Sequence, residues 1–126
     1  MVAVKFIPLL TLVAAALASP LQKRNYHGQV TYYHPEVDIG SCGKFHDGDA
    51  MVVAINAPQM ANGANPNTNS KCFRTIRAYG PKGHVDVKVV DTCAPCSHGD
   101  IDLSPAAFQK IADLEEGRLD VEWHWL

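Results

Sequence analysis

Five stretches of the chain carry the hydrophobic pattern of β-strands, and one carries that of a helix. "QVTYYH" (29–34) is rich in the β-branched and aromatic residues that suit a pleated, half-buried surface. "AMVVAIN" (50–56) is an unbroken apolar run and predicts a strand buried on both faces. "CFRTIRAY" (72–79) alternates, with Phe73, Thr75 and Arg77 set against Arg74, Ile76 and Ala78. "HVDVKVVD" (84–91) places Val85, Val87 and Val89 on one face, and the preceding "GPKG" (80–83) is turn chemistry, with Pro81 pre-set for the first corner. "RLDVEWHWL" (118–126) sets Leu119, Val121, Trp123 and Trp125 against Asp120, Glu122 and His124. That parity assigns Trp123 to the core rather than to a sugar platform. It leaves Trp125, near the terminus, open between the two.

The helix begins at Ser104. Serine is a good N-cap and Pro105 suits the first helical position. Phe108, Ile111 and Ala112 then share a face, and Gly117 ends the segment that follows. Residues 57–71, "APQMANGANPNTNSK", form a long Asn, Gly and Pro loop of the kind that is often functional. Short strands, little helix and no open-sheet pattern predict a small closed barrel.

The N-terminus is not part of this pattern. Residues 1–18 carry one basic residue, Lys5, and then an apolar or small run ending in Ala16-Leu17-Ala18. This reads as a secretory signal peptide, since the run falls short of the ~20 residues a spanning helix needs. Residues 19–24 read as a short pro-segment ending in the dibasic pair Lys23-Arg24. Cleavage there leaves one small domain, 25–126. Losing Lys5, Lys23 and Arg24 takes the formal charge from −2 to −5. Such an acidic, exported domain is predicted to bind neither nucleic acid, which needs clustered Lys and Arg, nor membrane. It is expected to act outside the cell as a monomer, and to prefer neutral polysaccharide over polygalacturonate. No N-x-S/T acceptor is present in this domain.

Cys42, Cys72, Cys93 and Cys96 all fall in the exported part, and an even count there reads as two disulfides. Cys93-x-x-Cys96 followed by His98 has zinc-ligand residue types, but a structural zinc needs four ligands and export favours disulfides. Neither a metal nor a cofactor is expected. Ser104, occupied as a helix cap, has no triad around it. The carboxylates are the better candidates. Asp91 ends the valine strand and Asp102 precedes the helix, on either side of a short cysteine-bearing loop. Glycosidases hold two carboxyl groups about 5–10 Å apart. The alternative is that both are ordinary turn and helix-start residues.

"GQVTYY", "GSCG", "VVAIN", "YGPKGHVDVKVVDTCAPC", "DIDLSPAAFQKIA" and "LDVEWHW" occur in this order. Together they resemble the expansin-like double-psi β-barrels, which include expansin first domains, barwin and rare lipoprotein A relatives, and the single-domain fungal loosenins. The ordered set is specific, above all D-x-C-x-x-C followed by D-L-S-x-x-A-F. The resemblance implies a six-stranded double-psi β-barrel with one or two short helices. It implies a groove acid at Asp102, and substrate contacts from Thr31, Tyr33 and Asp91. By the same resemblance the cysteines pair Cys42–Cys72 and Cys93–Cys96, although four cysteines allow three pairings.

One departure bears on activity. Related endoglucanases carry an aspartate base just after the first strand, where this chain reads His34 and Pro35. Glu36 and Asp38 are near but out of register. The expectation is therefore a protein that binds and loosens cell-wall polysaccharide (cellulose, glucan or chitin) without hydrolysis. Rival readings are an endoglucanase or lytic transglycosylase using Asp102 as acid, and a protein-binding module such as a protease inhibitor or plant-directed effector.

Overall fold

Six strands close into a barrel: β1 (Tyr26–Tyr32), β2 (Val52–Asn56), β3 (Thr75–Gly80), β4 (Gly83–Cys93), β5 (Ile101–Leu103) and β6 (Leu119–Trp125). Around the barrel they run β1-β5-β2-β4-β3-β6, with β6 paired back to β1. This computed structural model describes residues 25–126; the predicted signal peptide and pro-segment lie outside the described residues. The pairs β1–β5 and β2–β4 are parallel and the other four are antiparallel. This is the mainly-β, six-stranded barrel expected from the resemblance.

Alternation decides which side chains fill it. All five residues of β2 are buried, as the unbroken apolar run predicts. Val85, Val87 and Val89 of β4 point inward with Ile76 and Ala78 of β3 and Val121 and Trp123 of β6. Removing an aliphatic side chain of this kind from water contributes about 1.5–3 kcal/mol. Trp123 is fully buried and its indole Nε1 donates to Gly99 O at 2.9 Å. Trp125 is only half-buried, with the Arg74 guanidinium 4.3 Å from its ring centroid.

Two short helices dress the barrel, α1 (Ala57–Met60) and α2 (Pro105–Ile111). In α2 the Ser104 hydroxyl accepts from Ala107 N at 3.3 Å and donates to Ala50 O at 2.6 Å. Ala107, Phe108 and Ile111 are its buried face, and Phe108 meets the Tyr32 ring edge-on at 5.0 Å.

Two elements differ from the sequence pattern. Strand β5 is only three residues long, too short to show a period, and its neighbours β1 and β2 impose its extended form. The segment 57–71 is more ordered than a plain loop, because its asparagines hold it. Asn56 Oδ1 caps α1 by accepting from Gln59 N at 2.9 Å, and Asn65 caps a 3-10 turn at Pro66–Thr68. Asn69 Nδ2 ties the segment to Met60 O at 2.8 Å.

The disulfides are Cys42–Cys72 and Cys93–Cys96, with Cα–Cα distances of 5.7 and 5.4 Å. Joined to each other, Cys93 and Cys96 offer no thiolate to a metal. Among the described residues no group of three or more His, Cys, Asp or Glu stands where it could hold one.

Candidate functional site

Register brings polar residues of three strands into one row, with an alanine of a fourth between them. Thr31 of β1 pairs with Asp102 of β5, Asp102 pairs with Ala54 of β2, and Ala54 pairs with Asp91 of β4. Neighbouring strands lie about 4.8 Å apart, so the Asp91 and Asp102 backbones stand roughly 10 Å from each other. Between them Ala54 contributes only a methyl group, which is itself buried.

Asp91 reaches this row through a β-bulge. Val53 pairs with Val89, but the next residue of β2, Ala54, pairs with Asp91, so Val90 is the extra residue. A bulge re-aims the side chain that follows it. Val89 and Val90 are both buried in consequence. Their carbonyls are taken by the two segments that the first disulfide joins: Cys42 N donates to Val90 O at 3.2 Å, and Phe73 N to Val89 O at 2.7 Å. The Cys42–Cys72 bridge therefore clamps the structure that positions Asp91.

Asp91 Oδ1 accepts from Ser41 N at 2.8 Å and from Thr92 N at 2.7 Å. Around it Ser41 Oγ and Thr92 Oγ1 are 2.7 Å apart, and Asn62 Nδ2 donates to Thr92 Oγ1 at 3.0 Å. Nothing in the sequence marks Ser41, Asn62 and Thr92 as a group. They meet because the bulge folds the segments 38–43 and 61–62 over the end of β4.

Asp102 accepts from Thr31 Oγ1 at 3.0 Å. Its carboxyl is pushed above the ordinary carboxylate value of 3.8, chiefly by burial. The Thr31 hydrogen bond and the charge of Arg118 act the other way, and the Asp91 charge adds to the rise. The sequence places this carboxyl close to the amides of the following helix. In the fold Ser104 caps those amides, and Asp102 belongs to β5.

Beside Asp102 opens a cleft of about 330 Å³, lined by Gln29, Thr31, Asp100, Asp102, Arg118 and the Cys93–Cys96 loop. Arg118 and Gln29 carry no sequence signal; register across the barrel alone brings them to the acid. Asp91 and Tyr33 do not border this cleft. Tyr33 stands near both acids, whose charges add to burial in pushing its phenol well above the usual tyrosine range. Its hydroxyl is buried and makes no hydrogen bond among the described residues. Glu36 sits on a 3-10 turn, its carboxyl 3.5 Å from His34 Nδ1, and does not border this cleft.

A family model described as lytic transglycolase matches residues 25–123. The chain is 30% identical over 103 residues to an EG45-like domain containing protein of Citrus jambhiri, covering 77% of this chain and 79% of that protein. The solved structure of a Streptomyces papain inhibitor superposes with a TM-score of 0.75 at 31% identity, covering 82% of this chain and 94% of the inhibitor. A mutant Clavibacter michiganensis expansin, solved in complex with cellohexaose, superposes with a TM-score of 0.70 at 28% identity over 82% of this chain. The match spans half of that expansin's length.

Proposed function

The chain belongs to the lytic transglycolase family of double-psi β-barrels, and from that premise we propose that it binds a cell-wall glucan along the Thr31–Asp102–Ala54–Asp91 row and loosens it without cutting it. The observation that carries this reading is the pair of acids on either side of Ala54, with the unpartnered Tyr33 hydroxyl close to both. Thr31 and Asp102 offer a hydroxyl and a carboxyl to sugar hydroxyls, and the buried Tyr33 hydroxyl stands beneath them, close to both acids. Each exchanged hydrogen bond is worth about 1 kcal/mol net. Loosening by this route competes with contacts between wall chains and needs no covalent step. The expansin solved with cellohexaose supports a glucan as ligand. Secretion, and cleavage after Arg24, belong to the same reading, and N-terminal sequencing of the exported protein should find Asn25 first.

Against hydrolysis stands the second carboxylate. Asp91 Oδ1 is held by two backbone amides, and Glu36 stands beside His34. Neither is placed as a free base across from Asp102. One observation favours the lytic reading: burial raises the Asp102 carboxyl, which a general acid requires. A binding panel on insoluble cellulose, β-glucan and chitin, read beside release of soluble sugar from these and from peptidoglycan, separates the two. Binding without release supports loosening, and release abolished in Asp102→Asn supports cleavage. The fold is shared with a papain inhibitor, so papain activity belongs in the same panel; inhibition without glycan binding would move the function to protein recognition.

A further inference from the structure

The larger cleft of the barrel lies at the other end of β1. Its volume is about 510 Å³, against about 330 Å³ beside Asp102. Tyr26 and His27 border the first, and Gln29 and Thr31 the second, so the nearest lining residues along β1 are two positions, about 7 Å, apart.

Two residues of this cleft, Gln59 and Lys71, present donors to it. Gln59 Oε1 already accepts from Asn56 Nδ2 at 2.7 Å and from Gly99 N at 3.0 Å. What remains of the Gln59 amide is its Nε2 donors. Lys71 adds an ammonium with three donors, one of them directed at Met60 O at 3.3 Å. His27, His98 and Asn25 complete the polar wall, and Asn25, whose Nδ2 donates to Glu122, keeps its Oδ1 as an acceptor. No carboxylate is among its described lining residues. Glu122 touches Asn25 and lies 4.0 Å from His27, but it lines the neighbouring cleft beside Tyr79. The remaining walls are the rings of Tyr26 and Trp125. The Tyr26 ring packs against Trp123 at 4.8 Å and meets His98 edge-on at 6.1 Å, so it is fixed in place.

Donors and a cation beside two aromatic rings fit a ligand that is rich in acceptors and has a flat apolar face. We propose that this cleft binds a uronic acid unit carried on an otherwise neutral glycan, its carboxylate on Lys71 and the Gln59 amide and its ring against Tyr26 or Trp125. The net charge of −5 over residues 25–126 opposes a polyanion approaching from a distance. A single carboxylate within a Debye length, about 8–10 Å, of Lys71 feels the local cation instead. The cleft shares no lining residue with the one beside Asp102, and its test does not depend on loosening.

The test is an NMR titration of the isotope-labelled exported protein with three probes: a xylo-oligosaccharide bearing one glucuronate, the matched neutral oligosaccharide, and sodium sulfate. The acidic oligosaccharide should shift the Gln59 side-chain amide and the Trp125 indole signal, and bind more tightly than the neutral one. Lys71→Gln should weaken it about tenfold, the loss expected for one charge-assisted hydrogen bond. Gln59→Glu keeps the acceptor for Asn56 and Gly99 while exchanging the remaining donors for negative charge, and should abolish binding in a protein that melts like wild type. Equal binding of the neutral probe, sulfate binding as tight as the acidic sugar, or shifts confined to Thr31 and Asp102 would each overturn the assignment.

Discussion

Asp91 and Asp102 stand in register on opposite sides of Ala54, one carried by a bulged strand and the other by a strand of three residues. Among the described residues neither acid forms an ion pair of the kind that joins Arg77 to Asp86 at 2.7 Å. Their partners are hydroxyl and backbone groups, Thr31 for Asp102 and the amides of Ser41 and Thr92 for Asp91. The row is therefore a polar surface with donors and acceptors to share, built on a barrel whose interior is apolar.

Asp102→Asn tests this surface directly. The asparagine Oδ1 can still accept from Thr31, so the fold should persist. The native carboxyl is raised by burial, so the folded chain binds this proton more tightly than the unfolded one. Stability drawn from Asp102 is then present below the ordinary value of 3.8 and is lost as pH rises through the raised value. The variant should escape that loss, and its melting temperature relative to wild type should climb from acid toward neutral pH. Wall loosening should fall to background. A variant that loosens walls as well as wild type would remove Asp102 from the site.

Tyr33→Phe deletes a buried hydroxyl that has no partner. Relieving an unsatisfied group of this kind stabilises by up to about 1–3 kcal/mol. Denaturant melts should show equal or higher stability, while glycan binding falls. Lower stability would mean that the hydroxyl has a partner in solution and belongs to the scaffold.

Gly40→Ala should harm both fold and site. A Cβ at this position would meet Val90 O at 2.5 Å and the Asp91 side chain at 3.1 Å. Both contacts are with the bulge, which cannot yield without moving Asp91. Overpacking of this sort costs roughly 1–3 kcal/mol, and chemical denaturation gives the value. Gly63→Ala, where a Cβ meets nothing within 4 Å, is the control.

The two disulfides should differ in effect. Chain-entropy closure of the loops of 30 and 3 residues corresponds to about 3.6 and 1.6 kcal/mol. Replacing Cys42 and Cys72 by alanine should therefore cost more stability than replacing Cys93 and Cys96. It should also weaken glycan binding, because the first bridge clamps the bulge carbonyls of Val89 and Val90. Urea titration of both double variants, each with a binding isotherm, checks the order.

Five of the six strands, the capped helix and the buried place of Trp123 were legible in the sequence, because alternation, an apolar run and a Ser-Pro start are local signals that each segment carries by itself. The ordered motifs carried the family and the barrel. The three residues of β5 hold no period, and only the pairing of β1 and β2 around them makes a strand. The bulge at Val90 left only a faint trace, the Val89-Val90 doublet that breaks the alternation of the valine strand, and the slip there sets Asp91 beside Ala54. Four cysteines allow three pairings; the resemblance chose Cys42–Cys72 and Cys93–Cys96, and the closed barrel joins those sulfurs. Arg118 and Gln29 reach the Asp102 cleft from strands and turns distant in the chain, and Gln59 and Lys71 reach the larger cleft the same way. Local sequence fixes which face of an element is apolar, since that depends on residues two to four apart. Which polar side chains converge depends on register between strands tens of residues apart, and that exists only once the barrel has closed.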